Sequence, residues 1–126
     1  VRAGLMNDMG GSWTLPRIVG LGKALELILT GDTIDAQEAL RIGLANHVVP
    51  HEELMTRTME LANRFAKGPT QAYKMIKWSI YRALNIDLEA ASMNERFGQS
   101  FLLGTQDVKN AVKSFLEKKT PVFKGC

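Results

Sequence analysis

Cysteine is almost absent from this chain: among 126 residues the single one is Cys126, at the very end. One thiol excludes an internal disulfide and any cysteine-built metal site. Proline is scarce, at four residues, and no apolar run approaches the ~20 residues needed to cross a bilayer. No membrane partner is expected, and without a secretory leader pattern the expected compartment is the cytoplasm or an organellar matrix. A strong excess of one charge is missing too. Sixteen Lys and Arg against thirteen Asp and Glu leave +3, too mild and too dispersed to indicate nucleic acid by itself. An anionic small ligand fits the balance equally well.

Several chemical signatures are also lacking. Neither phosphate-loop pattern, Gly-x-x-x-x-Gly-Lys-Ser/Thr or Gly-x-Gly-x-x-Gly, occurs, so a nucleotide loop is not supported. No Gly-x-Ser-x-Gly elbow surrounds Ser12, Ser79, Ser92, Ser100 or Ser114, which argues against a serine hydrolase. His47 and His51 stand without a third ligand at metal spacing, so no metal is expected.

What is present is a series of helix signals, and almost nothing alternates with period two. Ser12 is expected to cap a short helix through Val19 that contains Pro16, and Gly31 to close an apolar helix over Lys23 to Thr30. Asp35 with Glu38 has capping-box logic, and Gly43 stops that helix after Ile42. Ala45 to Val49 is the one strand expected, and a lone strand needs a partner outside these residues or must be irregular.

Glu52 and Glu53 open the next helix, with Leu54, Thr58, Leu61, Ala62 and Phe65 on one face before Lys67-Gly68-Pro69. A helix from Thr70 to about Leu84 is expected to bury Ala72, Ile76, Ile80 and Ala83. Asp87 is placed to cap the following helix, whose Ala90, Met93, Phe97 and Phe101 form a stripe ending at Gly104. Thr105 then caps a last helix, with Val108, Ala111, Val112, Phe115 and Leu116 inside, and an extended tail runs from Lys118 to Cys126.

Asp8 is the carboxylate that stands out, two residues ahead of the Gly10-Gly11 pair and a helix start. Glycine pairs permit backbone conformations closed to other residues and a close approach by another molecule. Taken alone, such an aspartate is more often a turn or cap residue than a catalyst. In the tail, Lys118, Lys119 and Lys124 are flanked by Phe115 and Phe123. Aromatic rings beside ammonium groups suit a ligand with a flat ring and phosphates, although a solvated terminus explains the same composition.

Three stretches, in order and at matching spacing, resemble the crotonase superfamily of enoyl-CoA hydratases and isomerases. They are Gly4-Leu-Met-Asn-Asp-Met-Gly-Gly-Ser-Trp-Thr-Leu-Pro-Arg-Ile-Val-Gly20, the block from Ala24 to Pro50, and the tail block from Ser114 to Gly125. The resemblance covers the whole chain and implies only the C-terminal, mainly helical half of a crotonase-type α/β spiral, with at most one or two short strands. Residues 1–50 would end the spiral core and residues 51–126 would form a helical trimerisation region. The missing N-terminal half would supply the oxyanion hole, and neither hydratase glutamate would lie in this chain.

By the same resemblance Asp8 is a general acid and base, Gly10, Gly11 and Trp13 belong to the substrate pocket, and Phe115 and Lys118 reach toward coenzyme A bound in a neighbouring subunit. The implied partners are an acyl-CoA substrate, the other half of the fold, and further copies in a trimer or hexamer. No cofactor is implied beyond the coenzyme A carried by the substrate. The expected function is that of an acyl-CoA isomerase or hydratase working through a stabilised enolate, with these residues inactive by themselves. The rival expectations are a noncatalytic helical oligomerisation module and RNA binding through the basic tail and the Lys74 face.

Overall fold

In the computed structural model, which describes residues 1–126, short-range signals set nearly every helix boundary. The order is α1 (Gly11–Val19), α2 (Leu21–Thr30), α3 (Ala36–Arg41), a 3-10 turn (His51–Glu53), α4 (Leu54–Ala66), α5 (Thr70–Ala83), α6 (Leu88–Leu103) and α7 (Gln106–Leu116). No strand forms. The expected strand at Ala45 to Val49 is irregular backbone, because no second segment offers it a hydrogen-bonding edge.

Three caps act as their sequence positions dictate. The side chains of Asp35, Asp87 and Thr105 accept from the backbone N–H of Glu38, Ala90 and Val108 at 2.8, 2.8 and 3.3 Å. Each satisfies a donor that the helix cannot satisfy itself. Ser12 does not cap α1. The helix starts two residues earlier, with Gly10 in the cap position, and the Ser12 hydroxyl instead accepts from Asn7 Nδ2 at 2.8 Å.

The chain divides into two compact units, Val1–Leu54 and Met55–Cys126. In the first, α1 packs on α2, and a charge cluster ties α2 to α3. Lys23 Nζ lies 2.8 Å from Glu26 and 3.2 Å from Glu38, while Arg41 grips Glu38 in bidentate fashion. The Arg41 guanidinium, aided by the Lys23 ammonium, pulls the Glu38 carboxyl down to about 2, and partial desolvation opposes it.

In the second unit α6 packs against both α5 and α7. The corner between α4 and α5 turns on Gly68: a Cβ there would lie 2.0 Å from the Tyr73 hydroxyl, so only glycine lets that ring fold back. Tyr73 then meets Phe65 edge to face, with ring centroids 5.8 Å apart. Trp78 of α5 and Phe97 of α6 approach to 6.3 Å across the helix pair.

Apolar burial departs most from the sequence expectation. Ile76, Ile80 and Ala83 of α5, Met93, Phe97 and Phe101 of α6, Val112, Phe115 and Leu116 of α7, and the face of α4 with Leu54, Leu61 and Phe65 are all exposed. Ala24 is the one hydrophobic side chain that is fully buried. The accessible surface is 10111 Å². Separate compact units of about 6 and 8 kDa would together expose only about 8,100 Å². The helices are therefore correctly amphipathic, yet their apolar faces lack the layer that would cover them.

Candidate active site

The Asp8 loop is built by local geometry. Asp8 accepts the N–H of Gly11 on its backbone carbonyl at 2.9 Å, and between them Met9 and Gly10 both take the left-handed conformation, at φ 51° and 84°. For Gly10 this costs nothing steric; for Met9 it costs about 1–2 kcal/mol. The Met9 side chain recovers none of that through packing, being 99% exposed. The Asp8 carboxylate beside this strained turn is exposed, with no side-chain hydrogen bond or ion pair.

Of the other expected pocket residues, Gly10 precedes α1 and Gly11 is its first residue. Trp13 sits in its first turn, and the Arg17 guanidinium lies 4.0 Å over the Trp13 ring while donating to the Trp13 carbonyl at 2.9 Å. One face of the indole is thereby covered by a cation. A cavity of about 560 Å³ opens beside the loop, with Leu5, Met6, Asn7, Ser12, Pro16 and Ala24 among its walls. Asp8, Gly10, Gly11 and Trp13 do not line it. The walls are dominated by apolar side chains, and Asn7 and Ser12 supply the polar edge next to Asp8.

Phe115 and Lys118 belong to the second unit, at the end of α7. Phe115 is 81% exposed. Lys118 is the left-handed residue past the helix end, at φ 54°, and Lys119 N donates back to Ser114 O at 2.9 Å. Glycine ordinarily occupies such a position. A lysine there accepts a cost of about 1 kcal/mol, three residues beyond Phe115 in sequence.

Sequence reasoning passed over Asp107, in the first turn of α7. This carboxylate is only 3% exposed. Oδ1 accepts from Lys124 N at 2.7 Å, Oδ2 from Gly125 N at 2.8 Å, and the Asp107 backbone N–H donates to the Cys126 carbonyl at 3.0 Å. Gln71 of α5 adds a 3.0 Å bond to the Gly125 carbonyl. Hydrogen bonds to a charged group contribute about 1.5–3 kcal/mol each, so the two carboxylate bonds outweigh the conformational cost at Lys118. The only sequence signal was an acid in a helix's first turn, which reads as ordinary dipole complementation. No cluster of three His, Cys, Asp or Glu side chains is placed to hold a metal ion.

The sequence profile of the enoyl-CoA hydratase/isomerase family matches residues 1–126. A short-chain-enoyl-CoA hydratase of Clostridium acetobutylicum is 40% identical over 121 residues, which cover 94% of this chain and 46% of that protein. A crotonyl-CoA hydratase of Syntrophomonas wolfei is 36% identical, with 98% and 47% covered. The crystal structure of an enoyl-CoA hydratase from Bacillus anthracis superposes with a TM-score of 0.94 at 34% identity, over 99% of this chain and 48% of that one. The chain thus spans about half the length of the relatives it matches. Matched along its whole sequence by the profile and along nearly its whole backbone by that crystal structure, the chain belongs to the enoyl-CoA hydratase/isomerase family, within the crotonase superfamily.

Proposed function

We propose that these residues form part of an acyl-CoA isomerase or hydratase acting on enoyl-CoA thioesters through a stabilised enolate, with Asp8 moving the proton. The observation that carries this reading is the Asp8 loop itself: an exposed carboxylate without a side-chain partner, on a strained Met9–Gly10 turn, in a chain of this family. A base beside a thioester takes a proton from the acyl chain and returns it at another carbon. That step needs hydrogen-bond donors on the thioester oxygen, each contributing roughly 3 kcal/mol. In this reading the donors come from the other half of the fold, Gly10, Gly11 and Trp13 border the acyl group, and no cofactor takes part beyond the substrate's own coenzyme A.

The exposed faces of α4 and α6 and the apolar cavity walls of the first unit support two further assignments. One set is covered by the N-terminal half of the fold, and another by copies of the chain in a trimer or a pair of trimers. Phe115 and Lys118 then contact the coenzyme A nucleotide held by a neighbouring subunit. No helix is long and apolar enough to cross a membrane, and the cytoplasm or an organellar matrix is the proposed compartment.

By themselves the 126 residues are expected to be catalytically silent and to self-associate. Measurable consumption of crotonyl-CoA by the purified chain would overturn that expectation. In the enzyme assembled with both halves, Asp8→Asn is expected to abolish turnover while coenzyme A still binds. Retained turnover would move the chemistry to another residue. Coenzyme A binding without any turnover in the unsubstituted assembly would favour a noncatalytic oligomerisation module.

A further inference from the structure

We propose that Asp107 is a positioning residue: its buried carboxylate clamps the far end of the tail and so holds Lys118, just beyond the helix that carries Phe115, in the geometry that meets coenzyme A. The inference rests on the coenzyme A reading given above for those two residues. Its own basis is the tail's attachment at both ends. At the near end, the chain leaves α7 through left-handed Lys118, with Lys119 N bonded to Ser114 O at 2.9 Å. At the far end, both Asp107 carboxylate oxygens accept consecutive backbone N–H groups, those of Lys124 and Gly125, at 2.7 and 2.8 Å.

Between the two anchors lie only the residues from Lys119 to Phe123, and Pro121 among them has a fixed φ. A short segment held at both ends has few conformations left, so the direction in which the chain leaves α7 is set at Asp107 as much as at the helix end. If the far anchor is lost, Lys118 is free to relax from φ 54° to the extended region that lysine prefers. Its side chain then leaves the direction that the left-handed backbone gives it. Asp107 also sits in α7 itself, so one helix carries the exposed aromatic and the carboxylate that fixes the segment beyond it. Gln71, donating to the Gly125 carbonyl at 3.0 Å, fastens the same end to α5.

Asparagine is the sharp substitution. It nearly keeps the shape of aspartate but turns one acceptor into an NH2 group that faces a backbone N–H donor. In the assembled protein, Asp107→Asn is expected to remove hydrogen-exchange protection from the Lys124 and Gly125 amides and to shift the Lys118 Hα resonance away from left-handed values. It is expected to weaken coenzyme A binding by about tenfold, the scale of ordering one long side chain at a contact.

In a Lys118→Ala background the same substitution should still free the tail but leave coenzyme A affinity unchanged. A clamp that served stability alone would give the same affinity change in both backgrounds, which overturns the positioning role. Gln71→Ala removes one neutral hydrogen bond and should shift affinity in the same direction by less; it keeps the test decisive if Asp107→Asn does not fold. Full coenzyme A affinity in a folded Asp107→Asn assembly with a freed tail overturns this inference alone. Absence of coenzyme A binding in the unsubstituted assembly overturns the coenzyme A reading, and the positioning role with it.

Discussion

Two aspartates, one in each unit, face opposite conditions. Asp8 is exposed, holds no side-chain partner and stands on a left-handed turn that no packing supports. Asp107 is buried, fully partnered and joins three parts of its unit: α7, the tail and, through Gly125, Gln71 of α5. The contrast separates chemistry from architecture. A carboxylate that is to exchange protons must have lone pairs free, whereas one that organises backbone must have them occupied. Stability depends on the second kind and reactivity on the first.

The largest expected break in that comparison is kinetic. Asp8→Asn in the assembled enzyme should lower kcat by about 10²–10⁴-fold, the range for loss of a general acid or base, with unfolding in urea nearly unchanged. Steady-state kinetics beside a urea midpoint measures both. Asp107→Ala should do the reverse in stability terms, costing about 3 kcal/mol because two part-buried N–H groups lose a charged acceptor. A urea midpoint that moves no further for Asp107→Ala than for Asp8→Asn would erase the contrast.

A smaller effect is expected at the second strained residue. Lys118→Gly should raise stability by about 1 kcal/mol, since glycine takes the left-handed conformation without a Cβ clash, while coenzyme A binding weakens. Thermal unfolding and ligand titration on the one variant read the opposed signs. The smallest expected effect lies in the first unit and depends on pH. Because the Glu38 carboxyl is held at about 2 when folded, the unfolded chain binds the extra proton between that value and about 4.5. The contribution is complete above 4.5 and is lost as pH falls toward 2. Glu38→Gln should flatten this part of an acid-unfolding profile, and an unchanged profile would remove Glu38 as its source.

Local chemistry was legible. Asp35, Asp87 and Thr105 each bond a donor three residues ahead, and Gly31 closes α2 with φ 65°, so a few neighbouring residues contain the whole cause. Ser12 misled because α1 already starts at Gly11, behind left-handed Gly10, and the Ser12 hydroxyl is taken up by Asn7. The Asp8 block and the tail block were legible as a resemblance to the family, and the profile match places the chain in it. The stripe Met93, Phe97 and Phe101 had the right period, but period marks which residues share a face and does not say what lies opposite. Asp107 was invisible for the same reason: its partners are 17 and 18 residues away, and nothing in its own neighbourhood marks it as buried.

By itself the sequence determined the helices, the caps at Asp35, Asp87 and Thr105, and the family, because each is written in residues a few positions apart or in a run long enough to match. Only the tertiary structure decided which carboxylate is buried, that Ala45 to Val49 has no ladder, and which apolar faces stay open. Those outcomes depend on which distant segments come into contact, and burial is a property of such contacts rather than of any residue's neighbours in sequence.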